Sequence, residues 1–399
     1  MLAPSPGASP ASPEGPLPGA TARLGLTGKR YRLGTHRVRP PEETWAAIEP
    51  LFPRVGITRV ADVTRLDRLG VPVFQAVRPA GWSLAVSQGK GVTAAAARTS
   101  AAMEAIELWC CEDLSHFPQA ELPLREMAYA NPVPAATLRW RPGAPVLDAL
   151  PIPWLRARSL AGGPPAWLPR QMLELDLRLP GAYAPRMFRP TSNGLASGNC
   201  PEEAQLHALC ELVERHALAL AREEPGRKVA LDLATVPPGY ARDLVDGLHR
   251  AGARLAVYDL TWEAGLPALY AELALDDLPR RFHGSGCHPS PEVALARALS
   301  EAAQSRLTFI SGARDDLPEP EPPRPPGAAH AAFAEPAAGR PFGVLEDLAT
   351  DSVAADLAET VRRLAALGHE PYAVDLTREE LGVPVVKAFA PGLLEGHDA

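Results

Sequence analysis

The sequence predicts an α+β fold, with mixed sheets covered by helices and built from repeated helix–strand–strand units. Three observations carry this. One helical pattern occurs three times, as A-R-T-S-A-A-M-E-A-I-E at 97–107, A-Q-L-H-A-L-C-E-L-V-E at 204–214 and A-L-A-R-A-L-S-E-A-A-Q at 294–304. A Gly, a short alternating strand ending Asp-Val/Leu-Thr, a turn and a Gly-φ-Pro also recur, at 56–73, 252–267 and 368–384. Glycine-rich runs precede every copy of the helical pattern: Ser87-Gln88-Gly89-Lys90-Gly91, Ser192 to Asn199, and Gly284-Ser285-Gly286.

The elements follow in order. Six prolines among the first twenty residues, with neither the basic start nor the apolar stretch of a signal peptide, make residues 1–28 a disordered Pro/Ala-rich tail. A single domain is expected over 29–399. The first repeat stretch, G-I-T-R-V-A-D-V-T-R-L-D-R-L-G-V-P-V, reads as two strands, and helical stretches at 241–250 and 353–366 lead into the other two copies. Pro72, Pro267 and Pro384 fall at strand starts, where a missing N–H is tolerated. Residues 117–190, rich in Pro, Arg and Trp, read as irregular structure and short strands. Residues 313–341 hold eight prolines and read as a flexible, exposed insertion, so deleting 317–338 is expected to leave folding and nucleotide binding unchanged. Removing 385–399 is expected to be far more damaging, because it takes the final strand.

Within the helical pattern, polar groups recur at matching places. Ser100, His207 and Arg297 are followed four residues later by Glu104, Glu211 and Glu301, and three later by Glu107, Glu214 and Gln304. Steps of four and three put them on one helix face. The rest of each helix is largely apolar, and a carboxylate there is costly unless something positive meets it. Five glutamates on three alike helices therefore point to one shared cationic ligand, most simply magnesium carrying a nucleotide. Glycine lets backbone approach such a ligand, and helix N-termini favour its phosphates. Lys90 stands out because the chain has only four lysines among forty basic residues.

Other function classes recede. A formal charge of −7 and the lack of a basic aromatic stripe argue against nucleic acid as the main partner. Five cysteines with no C-x-x-C pair argue against a disulfide framework and a zinc site. Cys110 and Cys111 read as reduced core thiols, whereas Cys200 and Cys287 follow glycine loops and are candidates to line a pocket. No segment is apolar enough to span a bilayer, so a cytoplasmic location is the expectation.

These motifs resemble the YcaO family. The resemblance rests on S-Q-G-K-G-V-T-A-A-A-A-R-T-S-A-A-M-E-A-I-E (87–107), S-N-G-L-A-S-G-N-C-P-E-E-A-Q-L-H-A-L-C-E-L-V-E-R (192–215) and A-L-A-R-A-L-S-E-A-A-Q-S-R (294–306), and runs from about residue 30 to about 395 without the proline-rich insertion. It implies the YcaO fold and an ATP site without a Walker loop; no G-x-x-x-x-G-K-[ST] occurs here. It implies that Glu104, Glu107, Glu211, Glu214 and Glu301 bind Mg2+. Ser100, His207, Arg297, Lys90 and Gln304 would then serve the nucleotide, although His207 stands where some relatives carry an amide. Arg37 and Thr44, in T-H-R-V-R-P-P-E-E-T-W, resemble a basic residue and hydroxyl that reach the nucleotide; on residue type alone they read as a surface Arg and a helix-capping Thr.

Members of that family activate a backbone amide of a ribosomally made peptide by phosphorylating its oxygen, giving an azoline, thioamide or amidine. Residues 32–44 and 56–79 are similar to the branch associated with a TfuA partner, linked to thioamide formation. The end F-A-P-G-L-L-E-G-H-D-A lacks the P-x-P-x-P tail of many azoline-forming members. Three readings follow: a thioamidating enzyme acting on a peptide or protein with a TfuA-like partner, an azoline-forming cyclodehydratase acting on Cys, Ser or Thr, and a non-catalytic nucleotide-binding accessory protein. The resemblance also implies a homodimer.

Overall fold

A computed structural model of the protein describes residues 27–178, 185–312, 325, 327–333, 335–336 and 339–395. The expected disordered tail lies outside these, except for Thr27 and Gly28. Those two are ordered: Gly28 bridges to Ser352, and the Thr27 carbonyl accepts from Val353 N at 2.8 Å.

Short helices α1 (Pro41–Ile48) and α2 (Phe52–Val55) open the described chain. Strands β1 (Arg59–Asp62), β2 (Val73–Val77) and β3 (Val86–Lys90) form an antiparallel sheet in that order, and the long helix α3 (Ala94–Glu112) packs on it. The Thr93 side chain caps α3 by accepting from Ala96 N, satisfying one free donor of its first turn. The stretch expected to be irregular is more regular than its composition suggests. It holds β4 (Gln119–Pro123), α4 (Leu124–Ala130), the nine-residue β5 (Pro151–Ser159), β6 (Ala166–Pro169) and α5 (Arg170–Leu173). The β5 burial pattern alternates over its second half, facing Trp154, Leu155 and Ala157 to the core. Next come β7 (Leu195–Ser197), α6 (Pro201–Glu223), β8 (Val229–Asp232), α7 (Tyr240–Arg250), β9 (Arg254–Asp259), β10 (Ala268–Ala274), β11 (Phe282–Cys287) and α8 (Pro291–Ser311). The chain ends with α9 (Ala328–Ala331), β12 (Arg340–Pro341), α10 (Val353–Ala366), β13 (Tyr372–Asp375) and β14 (Val385–Phe389).

The second and third sheets run β11-β10-β9-β8-β12 and β4-β5-β13-β14-β7, with β6 on β5. Each repeated stretch forms an antiparallel pair: β1 with β2, β9 with β10, and β13 with β14. On the far side of each pair lies the strand that feeds a glutamate helix: β3 before α3, β11 before α8, and β7 before α6. For α6 the order along the chain is inverted, since its hairpin arrives some 150 residues later, at the C-terminus. Pro72, Pro267 and Pro384 each stand immediately before a strand, where no ladder N–H is lost.

The glycine runs serve helix packing first. A Cβ on Gly89 would lie 2.0 Å from Ala101 N and 2.2 Å from Ala97 O, and one on Gly284 would lie 2.2 Å from Ala302 N and 2.3 Å from Ala298 O. Strand and helix backbones are thus in direct contact at paired Gly and Ala positions. The expected role of these glycines, room for a ligand, is secondary to this.

Part of the proline-rich segment lies outside the described residues, but its C-terminal part is packed, against the expectation of a loose insertion. Phe333 is 3% exposed and packs with Ala256 and Ala274 on the sheet, and Arg254 donates to the carbonyls of His330 and Phe333 at 3.0 and 2.9 Å. Arg340–Pro341 then pairs in parallel with Leu231–Asp232.

Candidate active site

Helices α3, α6 and α8 enclose a cavity of about 660 Å³, and all twelve residues singled out from sequence line it: Arg37, Thr44, Lys90, Ser100, Glu104, Glu107, His207, Glu211, Glu214, Arg297, Glu301 and Gln304. The glutamates are held by a repeating set of bonds. The first glutamate of each helix accepts from a backbone N–H of its own strand or the loop before it: Glu104 from Gln88 N (2.8 Å), Glu211 from Gly194 N (3.2 Å) and Glu301 from Ser285 N (3.3 Å). The second polar group reaches across to the next unit. Glu107 accepts from Ser197 N and Oγ at 2.7 and 2.6 Å, and Glu214 from Ser285 Oγ at 2.7 Å. Gln304 closes the circle by donating to Gln88 Oε1 at 3.3 Å. Thus α3 reaches β7, α6 reaches β11, and α8 reaches β3.

Sequence reasoning missed Gln88, Ser197 and Ser285, which orient the carboxylates. The available signal was a polar residue beside glycine in each loop. It also missed Glu203, which is 3% exposed and accepts from Arg37 NH1 (3.1 Å), Val38 N (3.0 Å) and Asn199 Nδ2 (2.9 Å). Glu203 ties the segment carrying Arg37 to the start of α6. Thr44 is buried within α1, not at its cap, and donates to Asn199 Oδ1 at 2.7 Å.

Lys90 Nζ lies 2.8 Å from Glu301 Oε2. Burial opposes charge on Glu301, but Lys90, Arg215 and Arg297 outweigh it and hold its carboxyl down to about 2. Burial instead pushes Glu107 up to about 8, aided by Glu104 and Glu211 against the Ser197 bonds, and pushes Glu214 up as well, aided by Glu301. His207 Nε2 lies 3.0 Å from Arg297 NH2 and accepts from it, so the ring proton sits on Nδ1. Burial, then Arg297, keeps this imidazole neutral, well below its ordinary range.

The donor set suits a magnesium nucleotide. Carboxylate oxygens are hard ligands, and Mg2+ is commonly held by one or two of them together with phosphates rather than by an all-protein cage. Consistent with that, no three His, Cys, Asp or Glu side chains among the described residues converge to hold a metal alone. Buried His207 Nδ1, Arg297 Nε, Gln88 Nε2 and Gln304 Oε1 have no partner, as expected of a wall that waits for a polar ligand. The cysteines take no part. All five are free and none lines the cavity. Burial pushes the thiols of Cys110 and Cys200 up to about 12, that of Cys111 to about 11, and that of Cys287, packed beside Cys210, well up also. No helix among the described residues is long and apolar enough to cross a membrane.

Residues 88–394 match the family model described as YcaO cyclodehydratase, ATP- and Mg2+-binding. An uncharacterised protein of Mycobacterium tuberculosis is 39% identical over 381 residues, 91% of this chain and 84% of that one. One in the tfuA 3′ region of Rhizobium leguminosarum bv. trifolii is 39% identical over 296 residues, 70% and 69% of the two chains. Among solved structures, a heterocyclase in complex with substrate and cofactor superposes with TM-score 0.77 at 24% identity over 94% of this chain; the chain spans about half, 54%, of that protein. The YcaO protein of Methanopyrus kandleri bound with AMPPCP and Mg2+ superposes with TM-score 0.72 at 25% identity, over 93% of this chain and 95% of that one.

Proposed function

Because the chain belongs to the YcaO family, whose model describes ATP and Mg2+ binding, we propose that it activates a peptide backbone amide by phosphorylating its oxygen and, with a TfuA-type partner, converts that amide into a thioamide. The observation that carries the first half is the ring of five carboxylates, cross-bonded between three units and facing Lys90 and Arg297 in one cavity. A pure binding scaffold has little use for five such costly groups. The relative in a tfuA 3′ region supports the second half.

Glu104, Glu107, Glu211, Glu214 and Glu301 are the residues that would hold Mg2+. Lys90, Arg297, Arg37, Thr44, Ser100, His207 and Gln304 would face the nucleotide. ATP supplies the phosphoryl group that turns an amide oxygen, a poor leaving group, into a good one. The protein's share is alignment and charge neutralisation. Lys90 and Arg297 place fixed positive charge among the carboxylates. Ser197, Ser285 and the strand N–H groups fix the carboxylate orientations before any ligand arrives, so little reorganisation is left for the reaction itself. His207, neutral with its proton on Nδ1, adds a donor without adding charge.

A second reading, cyclodehydration with a Cys, Ser or Thr side chain as nucleophile, is favoured by the family description itself. It uses the same activation. Co-expression with the neighbouring genes, followed by intact-mass analysis of candidate peptides, separates the two. A sulfur-for-oxygen mass gain supports thioamidation and the loss of one water supports azoline formation. A protein that turns over no ATP and changes no peptide would sink both.

A further inference from the structure

The two ends of the cavity differ in chemistry. On α8 its lining residues run from Arg297 and Glu301 through Gln304, Ser305 and Thr308 to Phe309. At about 1.5 Å of rise per residue, Phe309 stands about 12 Å beyond Glu301, away from the helix start where phosphates are favoured. Arg280, Arg281 and His283, which precede and enter β11, line this far end and are exposed.

Among the described residues the acids there are already paired. Asp276 pairs with Arg68, Glu272 with Arg281 at 3.4 Å, and Asp277 shares Arg306, at 2.5 Å, with Asp67. Arg281 is further engaged, donating to Ala332 O at 3.1 Å. His283 is paired with Tyr270 OH at 2.7 Å. Arg280 differs from these arginines. It makes no ion pair among the described residues, and its guanidinium carbon rests 4.9 Å from the Phe309 ring centre and 5.6 Å from that of Phe282. An exposed cation held over two rings at a cavity mouth, in a chain of formal charge −7, is poised for an incoming anion.

Between this mouth and Glu301 the wall turns neutral. Gln88 Nε2 and Gln304 Oε1 are buried without partners, one donor and one acceptor. If both amides were assigned the other way round, the pair would still offer one of each. A peptide group carries the complementary pair, so Gln304 would stand where the peptide meets the nucleotide.

We propose that this end of the cavity admits the peptide and that Arg280, seated on Phe309, selects a segment bearing an acidic side chain next to the amide to be activated. This rests on reading the cavity as the place of amide activation. The test uses two fluorescein-labelled peptides, one alternating Gly with Glu and one alternating Gly with Lys, and fluorescence anisotropy with AMPPCP and Mg2+ present. Wild type should bind the Glu peptide about tenfold more tightly, since exposed charge pairs contribute only a few-fold each. Arg280→Glu should abolish or invert that preference, while MgATP hydrolysis without peptide stays at the wild-type rate. Phe309→Ala should weaken the Glu peptide by loosening the arginine. The proposal is overturned if wild type shows no preference, if Arg280→Glu keeps it, or if excess AMPPCP displaces the Glu peptide, which would assign this end to the nucleotide. An enzyme that hydrolyses ATP and modifies its peptide yet ignores these changes overturns only this inference. A chain that hydrolyses none overturns the functional reading beneath it.

Discussion

Glu107→Gln should stabilise the metal-free protein while destroying its magnesium-dependent turnover. The Glu107 carboxyl titrates at about 8 in the folded chain, against 4.5 ordinarily, with burial as the main cause. A raised carboxyl means that the folded state holds its proton more tightly than the unfolded one. Stability is therefore complete below about pH 4.5 and falls as pH climbs towards 8. At about 1.4 kcal/mol per pH unit, that interval sets a ceiling of about 5 kcal/mol. Glu107 borders the cavity, so water screens part of this, and a gain of about 1–3 kcal/mol at pH 8 is expected for the amide. The Gln carbonyl can still accept from Ser197 N, which now bonds the carboxylate at 2.7 Å. Thermal melts of both proteins in EDTA, from pH 5 to pH 9, measure the effect. The advantage of Glu107→Gln should grow with pH and shrink when Mg2+ and AMPPCP stabilise the wild type. If the variant melts no higher than wild type at any pH, burial does not penalise this carboxylate. If it keeps wild-type turnover, the charge is not needed for metal.

Lys90→Met removes the ammonium 2.8 Å from Glu301 and should weaken AMPPCP binding or turnover about 10- to 150-fold, the range for a charge-assisted contact of about 1.5–3 kcal/mol. A change under about twofold would make Lys90 a surface residue in effect. Arg306, whose side chain is 1% exposed between Asp67 and Asp277, should be far less replaceable: Arg306→Met strands the buried Asp67 and should cost about 3–5 kcal/mol in urea unfolding. Deleting 317–338 should now cost stability, because it removes Phe333 from its contact with Ala256 and Ala274; Phe333→Ala alone should cost about 3 kcal/mol by the same measurement. Removing 385–399 should abolish soluble folded protein, since β14 lies between β13 and β7 and Lys387 on it is fully buried, donating to Thr191 O.

The site was legible because its residues obey a local rule. Glu104 and Glu107, Glu211 and Glu214, and Glu301 and Gln304 sit three apart on helices, so a spacing count alone puts each pair on one face. Ser197 and Ser285 carry only the weaker signal of a polar residue beside glycine, because their partners lie 90 and 71 residues away and meet only through sheet order. Sheet order was hidden for the same reason: β14 reaches β7 across nearly 190 residues, and no periodicity records a pairing that distant. Phe333 was misread by composition. Seven prolines between Leu317 and Ala338 suggest loose chain, yet one large ring among them seats residues 327–333 on a sheet. Lys387 was invisible from the opposite side, since a lysine in a strand ordinarily points outward.

The circular bonding also explains why the carboxylates tolerate one another. Within a single unit, Glu104 and Glu107 would repel across one helical turn without relief. Sending the second group to the next strand separates their anchors, so the two carboxylates of one helix are oriented by different sheets. Charge at one position is then felt by all three units. Lys90, on β3, holds Glu301 ionised on α8, and Ser285 on β11 bonds both Glu301 and Glu214 of α6. A cation drawn in by these carboxylates would pull on three sheets together. The neutral corner at Gln304 breaks that symmetry. It is the position of the repeated pattern that lacks a carboxylate, so an uncharged group can come close there without meeting a sixth negative charge.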